Sequence, residues 1–179
     1  MSFETIRTRV APSPTGIAHV GTLYIALFNY AFAKQHGGQF IVRSEDTDRS
    51  RYVEGAEQVV LEALKWAGIK PDEDVEQGGP YGPYRQSERL EIYQQYIQQL
   101  LDQGQAYYCF ATPDELKQMR EEQMAAGKPP KYDGRYRDYP LEKAQERIAA
   151  GEPYVIRMRV PEGETSWQDL IRGEVTINH

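Results

Sequence analysis

Arg9-Val10-Ala11-Pro12-Ser13-Pro14-Thr15-Gly16-Ile17-Ala18-His19-Val20-Gly21-Thr22 is the stretch that decides the fold. Upstream of its loop, Ile6, Thr8 and Val10 alternate with Arg7 and Arg9, the period of a strand. Pro12, Pro14 and Gly16 then exclude helix and force an extended turn. From His19 onward apolar residues recur at helical spacing, which predicts Leu23, Ala26, Leu27, Tyr30 and Ala31 on one face. Strand, proline-rich loop and helix in this order put the loop at the carboxyl end of a strand. The first helical turn adds unpaired N–H groups and a positive dipole end, which suit a phosphate.

Working outward, the helix is predicted over 20–36 and stops at Gly37-Gly38. Phe40-Ile41-Val42 follows as a buried strand, making a βαβ unit with an expected right-handed crossover. Glu45-Asp46-Thr47-Asp48 then emerges at the same sheet edge as the proline-rich loop, where open α/β sheets bind ligands. A second helix is expected over 55–67, burying Ala56, Val59, Val60, Ala63 and Leu64, and 71–83 reads as a loop. Ser87 is a candidate N-cap for a helix carrying Leu90, Tyr93, Ile97, Leu100 and Leu101, and 107–110 reads as a strand.

The pattern changes there, and an inserted subdomain is expected over 107–179, after a first part spanning 1–106. Thr112-Pro113-Asp114-Glu115 has the residues of a capping box and should open a helix that lasts to Gly127. A loop over 128–139 sets Lys128, Lys131, Arg135 and Arg137 beside Tyr132, Tyr136 and Tyr139. Pro140 starts a short helix, and 154–160 and 174–177 alternate as strands.

Several of these residues suit particular chemistry. His19 can donate a hydrogen bond to a phosphate, or can simply cap its helix. Gly21, lacking a Cβ, lets a flat base approach, and Ser13 and Thr15 add hydroxyls to the loop. Arg9 and Glu45 are opposite charges at one edge: they can take the carboxylate and the ammonium of an amino acid, or pair with each other. Asp46 and Asp48 share a face and can hold Mg²⁺, or can cap the next turn with Thr47. The basic, tyrosine-rich loop suits phosphates and stacked bases, or is an ordinary solvated loop.

Composition narrows the function classes. The 179 residues are 40% hydrophobic and 27% charged, enough for a core and a water-facing surface. A net charge of -6 argues against general nucleic-acid binding while leaving room for a local basic patch. Cys109 is the single cysteine, so no intramolecular disulfide forms, as suits a reducing cytoplasm. Met1-Ser2-Phe3-Glu4 lacks a signal-peptide core and no long apolar run follows, so a cytoplasmic protein without membrane contact is expected.

The fourteen-residue string resembles the signature of the class I aminoacyl-tRNA synthetases. Its wording, Ala-Pro-Ser-Pro-Thr-Gly followed by His-Val-Gly-Thr, is similar to that of the bacterial glutamyl-tRNA synthetases, and the resemblance continues to the last residue. It implies an incomplete Rossmann-like parallel sheet with an inserted α+β subdomain that binds the tRNA acceptor end. It also implies ATP-dependent formation of glutamyl adenylate and transfer of glutamate to tRNA(Glu), with Mg²⁺ accompanying ATP and a monomeric parent protein. By resemblance Arg9, Ala11, Ser13 and Glu45 bind glutamate, and Thr15, His19, Gly21 and Thr22 bind ATP. His19 and Gly21 would serve the reaction, and Lys128, Lys131, Arg135 and Arg137 would meet tRNA. Some members hold zinc with two cysteine-containing pairs. Here the matching positions read Cys109-Phe110-Ala111 and Tyr136-Arg137-Asp138, so no zinc is expected and aromatic packing by Tyr136 takes its place.

In the family, the rest of the sheet, the Lys-Met-Ser-Lys-Ser-type loop and an anticodon-binding domain follow later. The chain therefore reads as the N-terminal part of a catalytic domain, and the isolated piece is expected to be inactive. Three other readings stay open. One is a paralogue that glutamylates a queuosine base of tRNA(Asp), another a glutaminyl-tRNA synthetase, and the third a non-catalytic module that binds ATP or tRNA.

Overall fold

The structure is a computed structural model that describes residues 5–16 and 18–179. Ile17 of the motif and the four N-terminal residues, read above for a signal peptide, lie outside the described residues. The chain falls into two compact units, one ending at Ile92 and the other running Tyr93–His179.

In the first unit β1 (Arg7–Val10), α1 (Val20–Gln35) and β2 (Gln39–Val42) form the expected βαβ arrangement. β1 and β2 are parallel, with Arg7 opposite Gln39 and Val10 opposite Val42. This alternation sends Val10, Phe40 and Val42 into the core with Ala26 and Ala33 of α1. Tyr30 meets Phe40 edge-on, ring centres 5.8 Å apart. α2 (Ala56–Trp66) adds Val60 and Leu64 to the same core. Phe40 and Leu64 are fully buried, each worth about 1.5–3 kcal/mol of transfer free energy.

The buried stripe of α1 differs from the sequence reading. It follows Leu23, Ala26, Tyr30 and Ala33, whereas Leu27 and Ala31 are exposed. Both stripes have helical spacing, and small alanines let the helix sit close to the sheet, which the periodicity alone does not weigh. Val59 of α2, also expected inward, is exposed, and its neighbour Val60 takes the inward position. At the end of α1, Gly37 adopts φ 64° and the Gly38 amide donates to the Ala33 carbonyl at 2.7 Å, a helix stop of Schellman type. Gly38 has its own reason to be glycine: a Cβ there would lie 2.3 Å from the Ile6 carbonyl oxygen.

The loop over 71–83 does structural work that its composition hides. Asp72 donates its amide to the Phe40 carbonyl at 2.8 Å, and Val42 donates to the Glu73 carbonyl at 2.9 Å, so this segment lies along the second edge of β2. Glu73 is 2% exposed and forms a bidentate pair with Arg7 at 2.6 and 2.8 Å while accepting from the Tyr84 hydroxyl. The Arg7 guanidinium holds the Glu73 carboxyl below the usual range, against the opposing pull of burial.

α3 (Leu90–Asp102) begins at the end of the first unit and leads in the second to β3 (Ala106–Cys109), which pairs antiparallel with β4 (Val155–Met158). Leu90, expected on the packed face of α3, is exposed, as the first residue of the helix. α4 (Pro113–Ala125) opens with the predicted capping box: Thr112 accepts from the Glu115 amide, and the Glu115 carboxylate accepts from the Thr112 amide. α5 (Leu141–Ala149) follows. β5 (Glu164–Asp169) and β6 (Gly173–Asn178) form a hairpin. β5 went unread because it is polar; its turn is set by Asp169, which accepts the Ile171 and Arg172 amides.

Arg147 stands over the Phe110 ring at 4.0 Å, and Tyr136 and Tyr139 pack around the same pair. Tyr136 thus joins an aromatic cluster, as the sequence suggested. Cys109 is buried with Sγ 3.2 Å from the Tyr132 hydroxyl, and Asp138 pairs with Arg159 at 2.7 Å. Among the described residues no three His, Cys, Asp or Glu side chains converge to hold a metal ion.

Candidate active site

The carboxyl ends of β1 and β2 are laced together beyond the strands. Arg43 donates its amide to the Val10 carbonyl at 3.2 Å, Glu45 to Pro12 at 2.9 Å, and Val53 to Pro14 at 2.9 Å. On the other side Ser44 donates to the Tyr84 carbonyl and Gln86 to the Ser44 carbonyl, each at 2.9 Å. The proline-rich loop and the 43–48 segment therefore share one rim, as the βαβ reading predicts, and the 84–87 segment, which that reading did not place, joins them.

His19 is the N-cap of α1, with φ -116° and ψ 167°. Its Nδ1 accepts from the Gly21 amide at 3.0 Å. An Nδ1 that accepts leaves the ring proton on Nε2, so the exposed far side of His19 is a donor. Capping and phosphate donation, set apart as rivals in the sequence, are compatible functions of one imidazole. A Cβ on Gly21 would lie 2.7 Å from His19 Cε1, so this glycine is needed for the ring's position as well as for any base above it. The first turn of the 16-residue helix holds no acidic side chain, which leaves its positive dipole end uncompensated.

Arg9 and Glu45 come together: Nη1 to Oε1 is 3.0 Å, and both are about one-third exposed, at 39% and 32%. They come together because β1 and β2 run parallel and the segment after β2 keeps following the chain beyond β1, the Glu45 amide donating to the Pro12 carbonyl. Arg43, just past β2, joins them, its Nη2 3.6 Å from the same Glu45 oxygen. Sequence reasoning missed Arg43, although its place two residues before Glu45 was the available signal. A cavity of about 220 Å³ opens beside this group, lined by Arg7, Arg9, Arg43, Arg89, Ile41, Tyr81 and Tyr84.

The remaining loop residues fall nearby. Ser13 and Thr15 are exposed, Ala11 is half-buried, and the Thr15 amide donates to the Ser13 carbonyl at 2.8 Å. Thr22 donates its amide to the His19 carbonyl at 2.9 Å in the first helical turn.

Asp46 and Asp48 are both engaged. Asp46 is 8% exposed and accepts from Ser87 twice, from the amide at 2.9 Å and from the hydroxyl at 2.5 Å. Burial pushes its carboxyl up, but the Ser87 hydrogen bonds outweigh this and hold it below the usual range. Ser87 is therefore not an N-cap: it sits inside a 3₁₀ turn over Gln86–Arg89, and the cap-like acceptor is Asp46, forty-one residues earlier. Asp48 turns its own segment, accepting from Ser50 and pairing with Arg51 at 2.6 Å.

In the basic loop, Lys128 and Lys131 are exposed. Arg135 pairs with Asp133 at 2.8 Å and lies 3.8 Å from Glu115, and Arg137 donates to the Val160 carbonyl. The tyrosines turn into the unit's own packing: Tyr132 lies under Arg157, and Tyr136 and Tyr139 adjoin Phe110.

Comparison with known proteins identifies the family. A protein of Psychrobacter sp. (strain PRwf-1) named glutamate–tRNA ligase is 60% identical over 173 residues, 96% of this chain and 34% of the relative. The crystal structure of a glutamate-tRNA synthetase from Elizabethkingia anophelis superposes with a TM-score of 0.87 at 45% identity, over 98% of this chain and 37% of that one. A glutamate tRNA ligase from Elizabethkingia meningosepticum, solved in complex with its amino acid, has the same TM-score and identity and is covered over 36% of its chain. The chain thus spans about a third of the length of the curated relatives it matches. Residues 5–179 match the family described as tRNA synthetases class I (E and Q), catalytic domain. With a βαβ unit whose proline-rich loop and His19-capped helix share a rim with Arg9 and Glu45, the chain belongs to the class I tRNA synthetases of the E and Q group.

Proposed function

We propose that this chain is the N-terminal part of a glutamate–tRNA ligase, an enzyme that activates glutamate with ATP and transfers it to tRNA(Glu). The observation that carries the reading is the Arg9–Glu45 pair beside the His19-capped helix: a cation, an anion and a phosphate-seeking helix end on one rim. A carboxylate, an ammonium and a nucleotide phosphate are the groups that must meet for this reaction.

In this reading Arg9 turns to the side-chain carboxylate of glutamate and Glu45 holds the ammonium group, with Ser13 and Ala11 along the same pocket. ATP lies over the start of α1, near Thr15, Gly21 and Thr22, and His19 Nε2–H donates to a phosphate oxygen. The glutamate α-carboxylate attacks the α-phosphorus; a P–O bond forms and pyrophosphate leaves. The terminal ribose hydroxyl of tRNA then attacks the activated carbonyl and AMP leaves. The protein's task in both steps is positioning and charge stabilisation. Mg²⁺ belongs with the ATP phosphates in this scheme. Asp46 and Asp48 are bound to Ser87, Ser50 and Arg51, and no step is assigned through the ion.

Residues 107–179 are proposed as the inserted subdomain that meets the tRNA acceptor end, following a catalytic part over 1–106. Lys128 and Lys131 are the phosphate contacts best placed by exposure, with Arg135 and Arg137 shaping the loop beside them. The parent enzyme is proposed as a cytoplasmic monomer. No helix among the described residues is long and apolar enough to cross a membrane.

ATP–pyrophosphate exchange on the full-length protein, with and without tRNA(Glu), tests the reading. Glutamate-dependent exchange is the expected result. Exchange driven by glutamine, or no exchange with any amino acid, would replace it with a glutaminyl enzyme or a non-catalytic module.

A further inference from the structure

We infer that Arg43 is a positioning residue for the amino-acid site: it retains Glu45 when Arg9 turns away to an incoming carboxylate. This rests on the glutamate reading and adds to it a residue that no motif of the sequence singled out.

Both guanidiniums address one atom. Glu45 Oε1 lies 3.0 Å from Arg9 Nη1 and 3.6 Å from Arg43 Nη2, the first a hydrogen bond and the second an ion pair short of one. Arg9 cannot serve Glu45 and a substrate carboxylate equally well. When it leaves, Glu45 loses its close partner at the moment it must hold an ammonium group. Arg43 is placed to prevent that. Its amide is fixed by the Val10 carbonyl, its guanidinium already reaches Glu45, and it is less exposed than Arg9, at 24% against 39%. Its Nε is buried with no hydrogen-bond partner among the described residues, so the guanidinium retains a donor for a new arrangement.

The other arginines of the cavity already have work. Arg7 is held by Glu73, and Arg89 Nη1 donates to the Tyr81 and Pro83 carbonyls. Arg9 and Arg43 are left to share Glu45, and the cavity they line takes a second carboxylate without an uncompensated anion.

The test is a double-mutant cycle in the full-length enzyme, read as the glutamate KM in ATP–pyrophosphate exchange. Arg43→Gln should raise that KM about tenfold, an ordinary coupling between neighbours, with the ATP KM and the exchange kcat little changed. Arg43→Lys should restore most of the loss. In a Glu45→Gln background, Arg43→Gln should add almost nothing, because its effect runs through Glu45. An unchanged glutamate KM in Arg43→Gln, or a full further loss in the Glu45→Gln background, overturns the inference. If Glu45→Gln alone leaves glutamate use intact, the underlying amino-acid reading fails instead.

Discussion

His19 Nδ1 accepts the amide of Gly21 at 3.0 Å, so the imidazole that closes the helix also fixes which of its nitrogens carries the proton. The two duties can be separated by substitution. His19→Asn keeps a side-chain cap and loses the remote donor; His19→Ala loses both. Each should slow adenylate formation by about 10²-fold, the effect of removing one oxyanion-type donor. Only the alanine variant should lower thermal stability, by the ~1 kcal/mol of a lost cap. A wild-type exchange rate in His19→Asn would take His19 out of the phosphate role.

Gly21→Ala probes the same ring from the other side. The added methyl meets His19 Cε1 at 2.7 Å, and the ring, being a movable side chain, gives way. Alanine gains about 1 kcal/mol of helix propensity, which offsets the lost cap. Stability should stay near wild type while exchange falls as in His19→Ala. Normal exchange would show that the ring's pose is not critical.

These two residues show what a sequence can and cannot disclose. The proline-rich string and the period change after His19 were enough to place β1, α1, β2 and the rim they share. Local spacing also sufficed for the Thr112–Glu115 box. It did not suffice for contacts closed by distant segments. Asp46 reaches Ser87 and Arg7 reaches Glu73 across forty-one and sixty-six residues, and neither pair has a spacing rule. The choice between Leu27 and Ala33 as buried residues was likewise set by how closely α1 approaches the sheet.

Arg9→Gln should weaken glutamate use by about 2–5 kcal/mol, since a substrate carboxylate would lose its charge-assisted partner. ATP use should change little. Steady-state exchange at varied glutamate and then at varied ATP checks this, and unchanged glutamate parameters would make Arg9 a structural partner of Glu45.

Glu73→Gln tests the buried pair beneath the site. With Arg7 left facing a neutral amide, the protein should lose about 3 kcal/mol at neutral pH. The pH dependence has a definite sign. The folded-state value of Glu73 is depressed, so its stabilisation is present above the unfolded value of about 4.3 and is lost as pH falls through the folded value. Urea midpoints for wild type and variant should therefore draw together as pH falls below the unfolded value. A gap that persists undiminished at lower pH would show that the charge is not its source.

Purified protein should contain less than one equivalent of zinc, and a chelator should leave thermal unfolding unmoved. Structural zinc takes four ligands, whereas Cys109 faces Tyr132, and Asp138 is bound to Arg159. Stoichiometric zinc lost together with stability in Cys109→Ser would refute this.

The parallel register of β1 against β2 also determines where the chain can change length. Arg7 and Arg9 point to the charged face only because Thr8 and Val10 point to the other. One inserted residue within β1 would exchange the two sets, driving guanidiniums toward Phe40 and Leu64 and turning Val10 toward the cavity. An insertion there should therefore cost the first unit its core packing. In the exposed stretch around Lys128, where no ladder fixes alternation, the same insertion would leave every paired strand untouched.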